Sequence, residues 1–381
     1  MKPLNIYFPG KLVFGRNVLS GLVEEIGQMG VSRVLILTIA PLLEKIREVM
    51  DELEKLRIEV KTDISVVQEP SFSDLRKLME RVDPFDPDLV LGIGGGSVLD
   101  IAKLVAAQSG NEQELEEYVG IGLLKRRPKK LICVPATSGT GSEVSPNAIL
   151  VDERDNQKKG IISPFLVPDV VYVDPLLTMS VPASITAATG LDALTHCMEA
   201  YTNLYAQPFI DMYALEGIRS IGANLVRAVR DGSDEEAREK VAMGSLLGGF
   251  CLGPVNTAAV HALSYPLGST FHLPHGLSNA LLLPHVMEFN YAAVPCRYAE
   301  VAVALGCARD KDDRVTAQMG VERTRSLIAA CGIPSRLSEV GIPRNAIIDM
   351  AIAAMKITRL LKNNPRTVTM GDAIAIYESA Y

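Results

Sequence analysis

Short apolar runs alternate with amphipathic stretches through the first half of the chain. VLILTIA (34–40), LVLGIGGGS (89–97), LICVPAT (131–137) and VVYVD (170–174) are apolar at successive positions and rich in β-branched residues, the mark of strands buried on both faces of a parallel sheet. Between them, LLEKIREVMDELEKL (42–56), SDLRKLMERV (73–82) and VLDIAKLVAAQ (98–108) repeat apolar residues three and four apart, which predicts helices with one buried face. Strand and helix in alternation predict an open α/β domain. After Pro182 the strand signals fade, and helical stretches follow at 209–230, 234–252, 312–331 and 344–361. We therefore expect an α/β domain over 1–183 and an all-helical domain over 184–381, with no flexible linker between them and no internal repeat.

Length supports two domains, since 381 residues exceed the roughly 250 to 300 at which a single core stops growing. A cleft shared by two domains is a common ligand site. A net charge of -7 with no block of like charges argues against nucleic acid or an anionic membrane as partner, so the expected ligand is small. The amino end, MKPLNIYFPGKLVFG, lacks the uninterrupted apolar segment of a signal peptide, and no run approaches the ~20 apolar residues of a membrane span. The expected location is the cytoplasm. Six scattered cysteines without a CxxC pair read as free thiols. Cys197 neighbours His196, but a helix rotates adjacent residues by ~100°, so the two are expected to face different ways.

Two loops carry phosphate-binding chemistry. LVLGIGGGSVLDIAK sets Gly94, Gly95, Gly96 and Ser97 between a strand and a helix, where backbone N–H groups and the helix dipole can receive a pyrophosphate. It is not the GxGxxG fingerprint, and the P-loop Lys is absent. An ordinary tight turn, with Ser97 as N-cap and Asp100 completing a capping box, is the alternative. The second loop, Pro135 to Glu143, is crowded with hydroxyls and glycines and follows another expected strand. Ligands of doubly wound sheets sit at such strand ends.

All five histidines, His196, His261, His272, His275 and His285, lie in the helical half. Asp192 and His196 stand four apart in TGLDALTHCMEAY, so on a helix they project from one face. With His261 in AAVHALSYPLG and His275 in HLPHG, they offer three imidazoles and a carboxylate, which suit Fe2+ or Zn2+ with a position open for substrate. A helix surface pair and structural histidines are the plainer alternative. His285 reads as a packed or exposed residue.

The motifs GGGSVLDIAK (94–103), PATSGTGSEVS (135–145), KKGIISP (158–164), GLDALTHCMEAY (190–201), HALSYPLG (261–268) and HLPHGLSNALLLPHV (272–286) run in order through the chain. Together they resemble the iron-containing, metal-dependent alcohol dehydrogenase family. The resemblance implies a Rossmann-like dinucleotide-binding domain followed by a helical domain, the dehydroquinate-synthase-like fold, usually as a homodimer or larger oligomer. It implies metal ligands at Asp192, His196, His261 and His275. Cofactor contacts are implied at Gly94, Gly95, Gly96, Ser97, Asp100, Thr137, Ser138, Thr140 and Lys158, for NAD or NADP. The implied reaction is reversible hydride transfer between a primary alcohol or diol and NAD(P), with Fe2+, or Zn2+, as Lewis acid.

Two positions depart from the family pattern. Ile39 replaces the acidic residue that many relatives use to select NAD, so the usual argument against NADP is missing. Tyr265 replaces a second His thought to relay the proton, which leaves Tyr265 or His272 as candidates for that role. The competing readings are a dehydroquinate-synthase-like NAD- and metal-dependent lyase, and a nucleotide-binding protein without catalysis.

Overall fold

The computed structural model describes residues 4–66, 69–154 and 157–381; residues 1–3, 67–68 and 155–156, which fall within the expected first domain, lie outside the described residues. The chain forms two compact units, one of Ile6–Thr137 with Gly141–Met179, the other of Ser138–Thr140 and Ser180–Tyr381, to which Leu4 and Asn5 also belong.

The first unit holds β1 (Lys11–Phe14), α1 (Leu22–Gln28), β2 (Arg33–Leu37), α2 (Leu43–Lys55), β3 (Glu59–Asp63), α3 (Phe72–Val82), β4 (Leu89–Gly94), α4 (Gly96–Gln108), β5 (Gly120–Ile121), β6 (Lys130–Pro135), β7 (Asn147–Asp152), β8 (Gln157–Ile162) and β9 (Val170–Val173). Six strands form a parallel sheet in the order β1-β9-β6-β4-β2-β3, and β5, β8 and β7 form a small second sheet. The large sheet is buried on both faces because its strands alternate apolar residues to each. Leu35, Leu37, Val90, Leu131 and Cys133 pack with α3 and α4, while Val34, Ile36, Leu91, Ile132 and Val134 pack with α1 and α2. That is why the strands read as unbroken apolar runs. From β2 the chain steps outward to β3, then crosses back to β4 on the other side of β2. The reversal between β2 and β4 is the switch point at which such sheets bind ligands.

The second unit is helical among its described residues: α5 (Ala183–Thr202), α6 (Pro208–Arg230), α7 (Glu235–Leu252), α8 (Ala259–Phe271), α9 (His275–Asn290), α10 (Pro295–Ala304), α11 (Asp313–Ala330), α12 (Ile347–Met355), α13 (Thr358–Leu361) and α14 (Met370–Ser379). α5 is its central rod, buried nearly all round and packed against α6, α7 and α9. Cys197 points into the α6 and α7 contact, where Gly217 and Gly248 leave room for its sulfur, away from the face that carries Asp192. All six cysteines are free.

The expected fold class holds, with two local corrections. The helical stretch 344–361 is interrupted at Lys356–Ile357, where backbone bonds tighten to a three-residue spacing, so it forms α12 and α13. Ser97 is not the N-cap of α4. Gly95 is, and no side chain caps that helix. Asp100 does not close a capping box either, because its oxygens are engaged by Ser142 and the Ile149 amide.

Candidate active site

Three helices meet at one point, and each brings two side chains one turn apart. α5 carries Asp192 and His196, α8 carries His261 and Tyr265, and α9 carries His275 and Asn279. The Nε2 atoms of His196, His261 and His275 stand 3.6, 3.6 and 3.7 Å from the same oxygen, Oδ1 of Asp192. Donor atoms of Asp192, His261 and His275 all lie within 4.8 Å of one another. His196 falls outside that tight group of three, with its ring stacked on His261 at 4.9 Å. Ligands of a tetrahedral ion with bonds of about 2.1 Å lie about 3.4 Å apart, so the spacing around Asp192 suits a single divalent cation.

α9 reaches α5 this closely because residue 276 is Gly. A Cβ built there would stand 2.2 Å from the Ala188 carbonyl oxygen, well inside van der Waals contact. His275, one residue earlier, thereby opens α9 beside Asp192.

Glu199 and Asn279 complete the arrangement, and the sequence reading missed both. Glu199 is buried one more turn along the Asp192 face of α5. It accepts the Ala258 N–H at 3.0 Å and the Val260 N–H at 2.6 Å, and its Oε2 lies 2.6 Å from Nδ1 of His261. A carboxylate on one imidazole nitrogen turns the other toward a metal and raises its basicity. The only signal for it in the sequence was its position seven residues after Asp192. Asn279 places Nδ2 2.7 Å from Asp192 Oδ1, 3.2 Å from His261 Nε2 and 3.3 Å from His275 Nε2. Three atoms that can act as metal ligands thus converge on one amide nitrogen, as they would on a cation. Asn279 Oδ1 is buried without a hydrogen-bond partner among the described residues, and the donor set fits a divalent ion better than it fits an amide.

Electrostatics follow the same pattern. Burial alone would raise the Asp192 carboxyl, yet the imidazoles of His196, His275 and His261 hold it far below the ordinary range. Burial pushes His196 down to about 4 against the pull of Asp192, which keeps it neutral, the ligand form. His261 is pushed the other way, to about 10, because Glu199 and Asp192 outweigh its burial.

The site opens on one side. The His275 side chain is 28% exposed, against 4% for Asp192 and His261. Tyr265 borders that side, its ring 6.0 Å from the His275 ring. His272 stands apart. It is exposed at the left-handed C-cap of α8, with φ 56°, and its ring makes no hydrogen bond or ring contact among the described residues. His285 bonds Ser379 Oγ at 3.0 Å instead of joining the cluster.

The glycine-rich turn is built in the first unit. Gly94 pairs with Pro135, so the turn after β4 and the loop after β6 leave adjacent strand ends. Gly95 has φ −77°, which any residue adopts, and a Cβ there would meet Thr137 only at an ordinary 3.5 Å. The protein alone does not demand glycine at this position; a ligand lying close on the backbone does. The uncapped start of α4 leaves N–H groups for such a ligand, whereas α3 and α14 carry full capping boxes. Ser97 Oγ accepts the Glu69 N–H at 3.3 Å, and Lys158 Nζ donates to Glu69 Oε1 at 2.6 Å, so Glu69 links the turn to Lys158. Asp100 accepts from Ser142 Oγ at 2.5 Å and from the Ile149 N–H at 3.0 Å, which ties the second loop to the helix after the first. Lys103 is buried on the same helix and donates to the Ser145 and Asn147 carbonyls. Glu143 is buried nearby, and burial pushes its carboxyl up to about 7 despite its own backbone bond and the charge of Lys103. Ser138 and Thr140 group with the helical unit instead, Gly139 between them passing close over Thr189.

Comparison with known proteins places these features in a family. Residues 9–175 match the family described as iron-containing alcohol dehydrogenase, and residues 186–381 match its carboxy-terminal part. The chain belongs to the iron-containing alcohol dehydrogenase family. Long-chain-alcohol dehydrogenase 1 of Geobacillus thermodenitrificans is 38% identical to it over 390 residues, covering 100% of this chain and 98% of that protein. Sulfoacetaldehyde reductase of Bilophila wadsworthia is 31% identical, with 98% of each covered. Among solved structures, a 1,3-propanediol oxidoreductase superposes with a TM-score of 0.95 at 32% identity over 100% of both chains. As a member of this family the chain is an NAD(P)-dependent, metal-containing oxidoreductase that transfers hydride between an alcohol and the nicotinamide, with iron as the family's metal. The lyase alternative falls, because these relatives, matched over nearly the whole chain, are dehydrogenases and reductases. Among the described residues no helix is long and apolar enough to cross a membrane.

Proposed function

We propose that Asp192, His196, His261 and His275 hold the divalent ion at which a primary alcohol or diol is oxidised, and that Gly94, Gly95, Gly96, Ser97, Asp100, Thr137, Ser138, Thr140 and Lys158 form the site for NAD or NADP. The observation that carries this reading is the set of three imidazole nitrogens 3.6 to 3.7 Å from one Asp192 oxygen. Residues 1–183 form the dinucleotide domain in this reading, and 184–381 the metal domain.

When bound, the cofactor supplies the hydride acceptor and the divalent ion the Lewis acid that lowers an alcohol's pKa. The residues of the chain do the rest. Glu199 fixes His261 with Nε2 facing Asp192, and Asn279 restrains the donors of α5, α8 and α9. The N–H groups at the start of α4 orient the pyrophosphate, with Asp100 holding the Ser142 loop in place. The hydroxyl proton departs on the open His275 side, bordered by Tyr265, with Tyr265 and His272 as the two candidates to carry it.

The protein works in the cytoplasm in this reading, as a homodimer or larger homo-oligomer. Free cysteines suit a reducing compartment. Edge strand β1 lies next to the exposed side chains of Tyr7 and Phe8 and exposes Leu12, a surface suited to a second copy.

The test is a panel of alcohols run with NAD and with NADP, following reduced cofactor, beside metal analysis of Asp192→Ala and His261→Ala. We expect reduced cofactor from primary alcohols, and folded variants that lose both metal and activity. Full activity in a metal-free variant would sink the assignment.

A further inference from the structure

Tyr265 follows His261 by one turn on α8, so both side chains leave the same helix face, and the Tyr265 ring borders the open, His275 side of the site. One of the groups that hold Tyr265 there is a cation. Arg359, on α13 packed against α8, donates from Nη2 to the Tyr265 hydroxyl at 3.2 Å. That is the only hydrogen bond of this half-buried guanidinium among the described residues, and none of their carboxylates pairs with it. Other arginines of the same unit are better satisfied: Arg297 pairs with Asp211 and Arg344 with Glu378, and the buried Arg238, without a carboxylate, donates to the Thr186 hydroxyl and to the Gly232 and Val181 carbonyls.

A guanidinium offers five N–H donors in a planar fork that matches a carboxylate or sulfonate. Arg359 spends one of them on a neutral hydroxyl, and a half-withdrawn charge without an anion is costly. Its place at the mouth of the metal centre makes a substrate the anion within its reach.

We propose that Arg359 is a specificity residue that binds the anionic end of the substrate, and that the favoured substrate is a short alcohol, or its aldehyde, with a carboxylate or sulfonate at the end opposite the reacting carbon. This rests on the assignment of the Asp192 cluster as the place where the substrate oxygen binds. The chemistry is the family's own: the carbinol carbon gives hydride to NAD(P)+, the hydroxyl gives up a proton, an aldehyde forms, and the anionic group is unchanged.

The experiment compares the iron-loaded wild type, Arg359→Gln and Arg359→Lys on γ-hydroxybutyrate against n-butanol and on isethionate against ethanol, following reduced cofactor. The wild type is expected to favour the anionic member of at least one pair, the pair identifying carboxylate or sulfonate as the preferred group. Arg359→Gln should lower that anionic-to-neutral ratio of kcat/KM about 10- to 100-fold, the worth of a charged hydrogen bond, mainly through KM, and Arg359→Lys should keep part of it. A ratio equal in wild type and Arg359→Gln overturns the anion-binding role while leaving the dehydrogenase reading intact. A wild type that reduces no cofactor with any of the four alcohols overturns that reading itself. If Arg359→Gln does not fold, Arg359→Lys decides: an anionic-to-neutral ratio lowered from the wild-type value supports the role, and an unchanged ratio overturns it.

Discussion

Glu199 Oε2 lies 2.6 Å from Nδ1 of His261, both residues buried, while the same carboxylate receives the Ala258 and Val260 N–H groups at the start of α8. One carboxylate therefore sets both the position of the helix and the orientation of the His261 ring. Glu199→Gln keeps the shape and removes the charge. It should weaken divalent-metal affinity about 10- to 100-fold, measured by equilibrium dialysis against Fe2+ or Zn2+, with the fold retained. Unchanged affinity would reduce Glu199 to a helix cap.

Gly276→Ala tests the approach of α9 to α5. The added carbon has no room beside the Ala188 carbonyl, so the first turn of α9 must shift and carry His275 with it. We expect a loss of about 1 to 3 kcal/mol in stability and weaker metal binding, read by chemical denaturation and dialysis. A variant with wild-type values for both would contradict the packing argument.

The contrast between these residues explains what the sequence revealed. Strands β2, β4, β6 and β9 were legible because both sheet faces are buried and their apolar runs are unbroken. β3, EVKTD, was not, since it is an edge strand with polar positions, nor was β5 with two residues. Asp192 and His196 were legible as a pair at helical spacing. Glu199 was not, because its role depends on α8, which returns to it some sixty residues later. Asn279 depends likewise on the meeting of three helices.

Glu143 predicts a pH dependence of stability. Its folded carboxyl keeps a proton up to about pH 7, against 4.5 as the ordinary value. Between those values the folded state binds more protons than the unfolded state, so this group's contribution is most favourable at low pH and is lost as pH rises through 7. Relative to wild type, Glu143→Gln should therefore gain stability with rising pH, by roughly 3 kcal/mol above neutrality. Denaturation curves at several pH values check this, and a constant difference would contradict it.

Ile39 follows β2 and packs against the apolar cores on both sides of the sheet, so it offers no charge to repel a 2′-phosphate. NADP should be accepted. Ile39→Asp should lower kcat/KM for NADP relative to NAD by about tenfold or more, since an acid there bonds the free ribose and repels the phosphate. Steady-state rates with both cofactors would show it, and an unmoved ratio would place cofactor selection elsewhere.

In the function proposed here, one divalent ion, held where three imidazoles surround Asp192, is required for alcohol oxidation. The most direct measurement of this requirement is the rate of NAD(P)H formation from a primary alcohol by the purified protein, by the same protein after chelation and dialysis, and again after Fe2+ is restored. Activity should disappear with the metal and return with it, in proportion to the metal bound. An undiminished rate in protein shown to contain no metal would contradict the requirement.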